Sequence, residues 1–107
     1  MAKRRSIKIA ILPTAKADLN DIVSFIAKGS LKYALLEKQL IIKEIEQLYD
    51  QPELGKPFEH RSINARQLVF RNYLIIYRLK SELLIEILTI HHHARLIGNN
   101  PAFKDGE

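Results

Sequence analysis

The chain has 107 residues, 47% of them hydrophobic and 27% charged, with no cysteine and a formal net charge of +5. That is one domain's worth of protein with a modest core, and the composition excludes a disordered chain. The missing cysteines exclude disulfides, thiolate metal sites and a Cys nucleophile, while the positive balance favours a polyanionic or acidic partner.

No apolar run approaches the ~18–20 residues of a membrane span, so the expected location is the cytoplasm, with no membrane partner. The basic start, Lys3 to Arg5, is followed by an apolar run that stops at Pro13, too short for a secretory signal with a cleavage site. Ser6 to Leu12 alternates Ile7, Ile9 and Ile11 with Lys8 and Ala10, the two-residue period of a strand.

Thr14 reads as the N-cap of a first helix whose apolar positions, Ala15, Leu19, Ile22, Val23 and Ile26, recur at helical spacing. Asp18 and Asp21 then lie near the positive end of its dipole, and Gly29 supplies the residue just past its end. Ser30 caps a second helix bounded by Pro52. Its expected buried arc holds Leu31, Ala34, Leu35, Ile41, Ile42, Ile45, Leu48 and Tyr49. The near-direct connection makes the two helices an antiparallel hairpin.

Tyr33, Leu36 and Leu40 form an extra apolar stripe on the far side of the second helix, flanked by Lys32, Lys43 and Glu44. A one-sided surface helix does not need such a stripe. It is covered by a loop or the C-terminal tail, is scattered exposed apolar surface, or is a docking strip for a partner helix.

Gln51 to Ala65 has the punctuation of a long loop, a segment type that often carries function. Three strands follow, Arg66 to Phe70, Tyr73 to Leu79 and Leu83 to His91, with two-residue turns at Arg71-Asn72 and Lys80-Ser81. Ile75, Ile76, Ile85, Ile87, Leu88 and Ile90 do not alternate cleanly, which reads as burial on both faces. Arg78 and Glu86 are the exceptions, placed to pair across strands. Residues 1–107 therefore read as a single α+β domain of order β-α-α-β-β-β, a helical hairpin packed on an antiparallel sheet.

Four passages resemble the RelE/ParE toxin family of type II toxin–antitoxin systems, closer to its ParE-like members. They are Ala17-Asp18-Leu19-Asn20-Asp21-Ile22 with Phe25-Ile26-Ala27; Pro52-Glu53-Leu54-Gly55-Lys56-Pro57; Arg66-Gln67-Leu68-Val69 with Tyr73 to Arg78; and His92-His93-Ala94-Arg95. The resemblance implies a growth-inhibiting toxin silenced by a cognate antitoxin protein that wraps it, which makes Tyr33, Leu36 and Leu40 candidate antitoxin-binding residues. The same stripe could serve a homodimer.

It also implies one of two targets. RelE-like members enter the ribosome and cut mRNA; ParE-like members bind and poison DNA gyrase without breaking bonds themselves. Metal-free RNA cleavage needs a base, an acid and cations for the phosphorane charge. Candidates for those roles are His60, Arg61, Arg66, His92 and Arg95, and histidine's ordinary pKa of ~6.5 suits either proton role. Against that chemistry, Leu74 stands where RelE-like nucleases carry Arg directly after the strand's first Tyr.

The favoured reading is therefore a gyrase-directed toxin whose target-binding residues are Arg66, Arg71, His92 and Arg95, gathered on one exposed cationic edge. A ribosome-dependent mRNA endoribonuclease and an inactive toxin-like binding module are the alternatives. No cofactor is expected, and no metal, because His91, His92 and His93 have no carboxylate or thiolate beside them.

Overall fold

The structure, a computed structural model, describes residues 7–60 and 63–92, and at 58–60 and 63 the backbone alone. The alternating isoleucines form β1 (Lys8–Ile11). Pro13 then opens α1 (Pro13–Ala27), with Leu12 in the N-cap position and no side-chain cap. Proline's fixed φ and missing N–H suit a first helical residue, so Thr14 lies inside the helix and is not its cap. Asp18 consequently sits in the second turn, beyond the reach expected of the dipole.

The end of α1 also differs from expectation. Gly29 donates to the Ile26 carbonyl at 2.9 Å, and Ser30 to the same oxygen at 3.1 Å. No glycine has a positive φ among the described residues, so the helix closes without a left-handed residue. Ser30 does cap α2 (Leu31–Glu46) as its sequence suggests, its Oγ accepting from the Tyr33 amide at 3.1 Å. A short 3-10 turn, Gln47–Tyr49, follows.

The sheet has five strands rather than four: β2 (Lys56–His60), β3 (Ile63–Phe70), β4 (Tyr73–Ser81) and β5 (Leu84–His92) join β1 in the order β1-β5-β4-β3-β2. Part of the expected loop is thus the edge strand β2, where Pro57 is tolerated because an edge has one unpaired side. The sheet is mixed, not wholly antiparallel, since β1 lies parallel to β5 while the other pairs are antiparallel. The last turn falls at Glu82-Leu83, two residues later than expected.

The irregular pattern in β5 has a local cause. Tyr77 pairs with Ile87 but Ile76 pairs with Thr89, leaving Leu88 as an extra residue in a β-bulge. That residue resets the phase, so Ile85, Ile87 and Ile90 all join the one core and each is at most 2% exposed. The core adds Ala15, Leu19 and Ile22 from α1, Ile41 and Ile45 from α2, and Ile75 and Tyr77 from β4. Arg78 and Glu86 are register partners, and the arginine donates from both Nε and Nη2 to Glu86 Oε1 at 2.7 Å, as their sequence positions suggest.

Asp18 ties α1 to the sheet. Its Oδ2 accepts from the Ile90 amide at 3.0 Å and from the Thr89 hydroxyl at 2.5 Å. The β1 pairing stops at Ile87, so the carboxylate serves a backbone donor that strand pairing leaves behind. α2 meets the rest mainly through α1, and its buried stripe is narrow: Ala34, Glu37, Ile41 and Ile45, continued by Leu48 in the 3-10 turn. Leu31, Leu35 and Tyr49, expected on the buried arc, are exposed for that reason. Among the described residues no helix is long and apolar enough to cross a membrane.

Candidate functional site

The turn between β3 and β4 is tight, Phe70 pairing directly with Tyr73. Arg71, its first central residue, has φ 56, and no other non-glycine described residue has a positive φ. Positive φ at the first central position alone is the φ pattern of a type II′ turn, where glycine is the ordinary occupant. An arginine held there is strained by about 1 kcal/mol or more.

Its side chain faces Glu37, a carboxylate only 5% exposed on α2. Arg71 Nη2 lies 3.4 Å from Glu37 Oε2, and the Tyr73 hydroxyl donates to Glu37 Oε1 at 3.1 Å. Burial, then the Glu37 charge and its hydrogen bond, push the Tyr73 phenol up to about 12, so it stays a donor. His92, opposite Tyr73 on β5, stacks its ring on that phenol at 4.9 Å between centroids, with Phe25 of α1 at 6.3 Å. Arg71 leaves its other side to solvent, its side chain being 46% exposed.

Together Ile26, Tyr33, Glu37, Arg71, Asn72, Tyr73 and His92 line a cleft of about 180 Å³. Ordinary small-molecule sites run to ~300–1,000 Å³. This one fits a single protruding side chain better than a cofactor. Of the stripe expected on α2, Tyr33 lines this cleft and is 51% exposed, while Leu36 is 47% exposed and Leu40 half-buried outside it. A separate groove lies along α2, with Leu35, Leu36, Leu40 and Ile42 flanked by Lys38, Gln39, Lys43 and Glu46.

A second cluster holds the turn before β2. The Tyr77 hydroxyl, buried and therefore raised in pKa, donates to the Pro52 carbonyl at 2.8 Å and accepts from the Gly55 amide at 2.9 Å. Arg66 Nη1 donates to the Gly55 carbonyl at 2.6 Å and the Glu53 carbonyl at 3.3 Å. A Cβ on Gly55 would stand 2.7 Å from the Gln67 carbonyl oxygen, so only glycine fits between turn and strand.

Arg66 is thus a fastening for residues 53–55, and it does not share an edge with His92. Their register partners on β4 are Tyr77 and Tyr73, four residues apart. That is roughly 13 Å along the strand, with β3 and β5 a further ~10 Å apart across β4. The expected joint cationic edge is not formed by these two residues. Arg61, His93 and Arg95 lie outside the described residues, as does the side chain of His60. Glu37 is the functional candidate that sequence reasoning missed; its phase between Ala34 and Ile41 was the available signal. Among the described residues no cluster of three or more His, Asp or Glu side chains is arranged to hold a metal ion.

A family described as the ParE toxin of the type II toxin–antitoxin system parDE matches residues 9–97. The chain belongs to the ParE toxin family. Among solved structures, the chromosomal ParDE toxin–antitoxin system of P. aeruginosa contains a chain 21% identical, with a TM-score of 0.69 over 81% of this chain and 96% of that one. The RelBE2 toxin–antitoxin complex of Mycobacterium tuberculosis contains another, 20% identical, with a TM-score of 0.56 over 82% and 99%. No curated protein matches significantly. Membership in the ParE toxin family rests on the long sequence match rather than on a shared cationic edge. Several residues that carry the resemblance, Asp18, Gly55, Arg66 and Tyr77, prove to hold the ParE fold together.

Proposed function

We propose that this ParE-family toxin arrests growth by binding DNA gyrase, and that a cognate antitoxin silences it. Arg71 and His92 are the described residues assigned to the target contact, with Arg95 beyond them in sequence. Tyr33, Leu36 and Leu40 are assigned to the antitoxin. Both structural relatives named above come from toxin–antitoxin pairs, which supports such a partner here.

The choice of gyrase over mRNA rests on one observation: Arg66 is engaged with backbone carbonyls and stands far from His92 along the sheet. Metal-free cleavage needs a base, an acid and cations gathered on one scissile group at about 3 Å, and without Arg66 the cation lining the His92 cleft is Arg71 alone among the described residues. Leu74 points the same way, since its cross-strand partners are Val69 and His91 and it brings no cation to the place where RelE-like nucleases carry one.

Tightly induced expression in a bacterial host tests this reading. Growth arrest accompanied by loss of negative supercoiling in a reporter plasmid, relieved by co-expressing the product of the adjacent open reading frame, is expected. Arrest with cleaved mRNA and normal plasmid topology would overturn it in favour of a ribonuclease.

A further inference from the structure

We propose that two copies of this chain pair through the exposed face of α2, helix against helix and antiparallel about a two-fold axis at Gln39. The face is open to such a partner. α2 meets the rest of the fold mainly through α1, and Lys32, Leu35, Leu36, Gln39, Lys43 and Glu46 are exposed. Lys32, Leu35, Gln39, Ile42 and Glu46 follow one another by alternate steps of three and four residues, the spacing of a helix–helix seam over two heptads. From Leu35 to Glu46 that seam is the groove already described along α2.

The charges say which partner fits. Lys32 is the second residue of α2 and Glu46 the last. Each stands at the end of the helix dipole that disfavours it, the cation near the positive end and the carboxylate at the negative end. Neither has an ion-pair partner among the described residues. Lys32 and Glu46 lie seven residues to either side of Gln39, roughly 10 Å along the axis. A second copy running antiparallel therefore sets each Lys32 beside the partner's Glu46 and the negative end of the partner's helix. A parallel copy would oppose lysine to lysine and glutamate to glutamate, so the charges select the antiparallel pair.

The layers between agree. Gln39 meets its own twin on the axis, and an amide carries both the donors and the acceptor for that contact. Leu36 and Leu35 come level with the partner's Ile42 and Lys43, the lysine's stem covering leucine while its head stays in water. Such matching, in which one residue meets a second and the second meets the first, is what a two-fold interface demands. A helix of 16 residues is a short contact, so the pair belongs with the smaller interfaces that exchange readily. Leu36, assigned above to the antitoxin, lies in the seam, so the pair is a property of the toxin free of antitoxin.

Sedimentation equilibrium of the purified 107-residue toxin, free of antitoxin, tests this. Wild type should show a concentration-dependent equilibrium between monomer and dimer. Lys32→Glu and Glu46→Lys each bring like charges together twice per dimer and should weaken association roughly tenfold. Both changes suit the helix dipole, so the variants should fold, which circular dichroism checks. Lys32→Glu with Glu46→Lys in one chain restores both pairs and should return association to within about threefold of wild type. A monomer at every concentration, a dimer indifferent to the single changes, or a double variant no tighter than the singles would overturn the proposal.

Discussion

The Tyr77 hydroxyl reaches from the middle of β4 to the carbonyl of Pro52, 2.8 Å away, and so fixes a turn that lies 25 residues earlier in the chain. The same oxygen accepts the Gly55 amide. Tyr77→Phe removes both bonds and leaves a buried N–H without an acceptor. The expected loss is about 1–3 kcal/mol in urea unfolding. Gly55→Ala should cost a similar amount, because its Cβ meets backbone atoms that cannot turn aside. Unchanged unfolding midpoints would show that the turn is not held in this way.

Arg66 provides a sharper division between structure and function. Its hydrogen bonds go to the Glu53 and Gly55 carbonyls. Arg66→Met should therefore lower stability by about 1–2 kcal/mol and reduce growth inhibition only to the extent that folded protein is lost. A variant with wild-type unfolding but no growth inhibition would instead make Arg66 a target contact.

Asp18 supports the sheet from α1. Asp18→Ala removes the acceptor for the Ile90 amide and the Thr89 hydroxyl, with an expected cost of about 1.5–3 kcal/mol. Hydrogen exchange offers a local reading of the same effect. The Ile90 amide should exchange faster relative to global unfolding, while amides in β2 stay in step with it.

The Tyr73–Glu37 contact predicts a pH dependence. In the folded chain the Tyr73 phenol is raised from its ordinary 10.0 to about 12. Folding thus favours the protonated phenol: its contribution is whole below pH 10 and is lost as pH climbs through about 12. A shift of that size corresponds to at most about 2.7 kcal/mol. Alkaline unfolding should show that loss in wild type, and Tyr73→Phe should flatten it. An equal alkaline loss in Tyr73→Phe would assign the effect elsewhere.

The stripe on α2 carries its own prediction. Leu36→Asp with Leu40→Asp should abolish capture of the adjacent open reading frame's product while leaving the unfolding midpoint within about 0.5 kcal/mol for Leu36, which is well exposed. Leu40 is half-buried and should account for most of any stability change. Undiminished capture would place the antitoxin on another surface.

The legible parts of this fold were those with one dominant signal. The alternating Ile7, Ile9 and Ile11 gave β1, and Ser30 behind Gly29 marked the boundary between helices. The Arg78–Glu86 pair could be read from two charges in otherwise apolar strands. Elsewhere two signals competed. Pro57 reads as a loop residue yet occupies an edge strand, where its missing N–H has no cost in pairing. Leu88 disguised a one-faced strand as a two-faced one, because a bulge shifts the alternation without any special residue type.

The site was less legible than the fold for a similar reason. Glu37 lies in phase with Ala34 and Ile41, but a charge on a helix ordinarily faces water. Its burial depends on Tyr73 and Arg71, 36 and 34 positions later, which no local pattern reveals. Arg66 reads, from its residue type alone, as a contact for phosphate or an acidic patch. Its carbonyl partners belong to a turn whose path depends on Gly55 and Tyr77.

One purified preparation of the toxin, divided between a gyrase supercoiling reaction and a translating-ribosome reaction with labelled mRNA, addresses target choice most directly. Inhibited supercoiling alongside intact mRNA is the outcome expected of a gyrase-directed ParE toxin. Cut mRNA alongside normal supercoiling would contradict it.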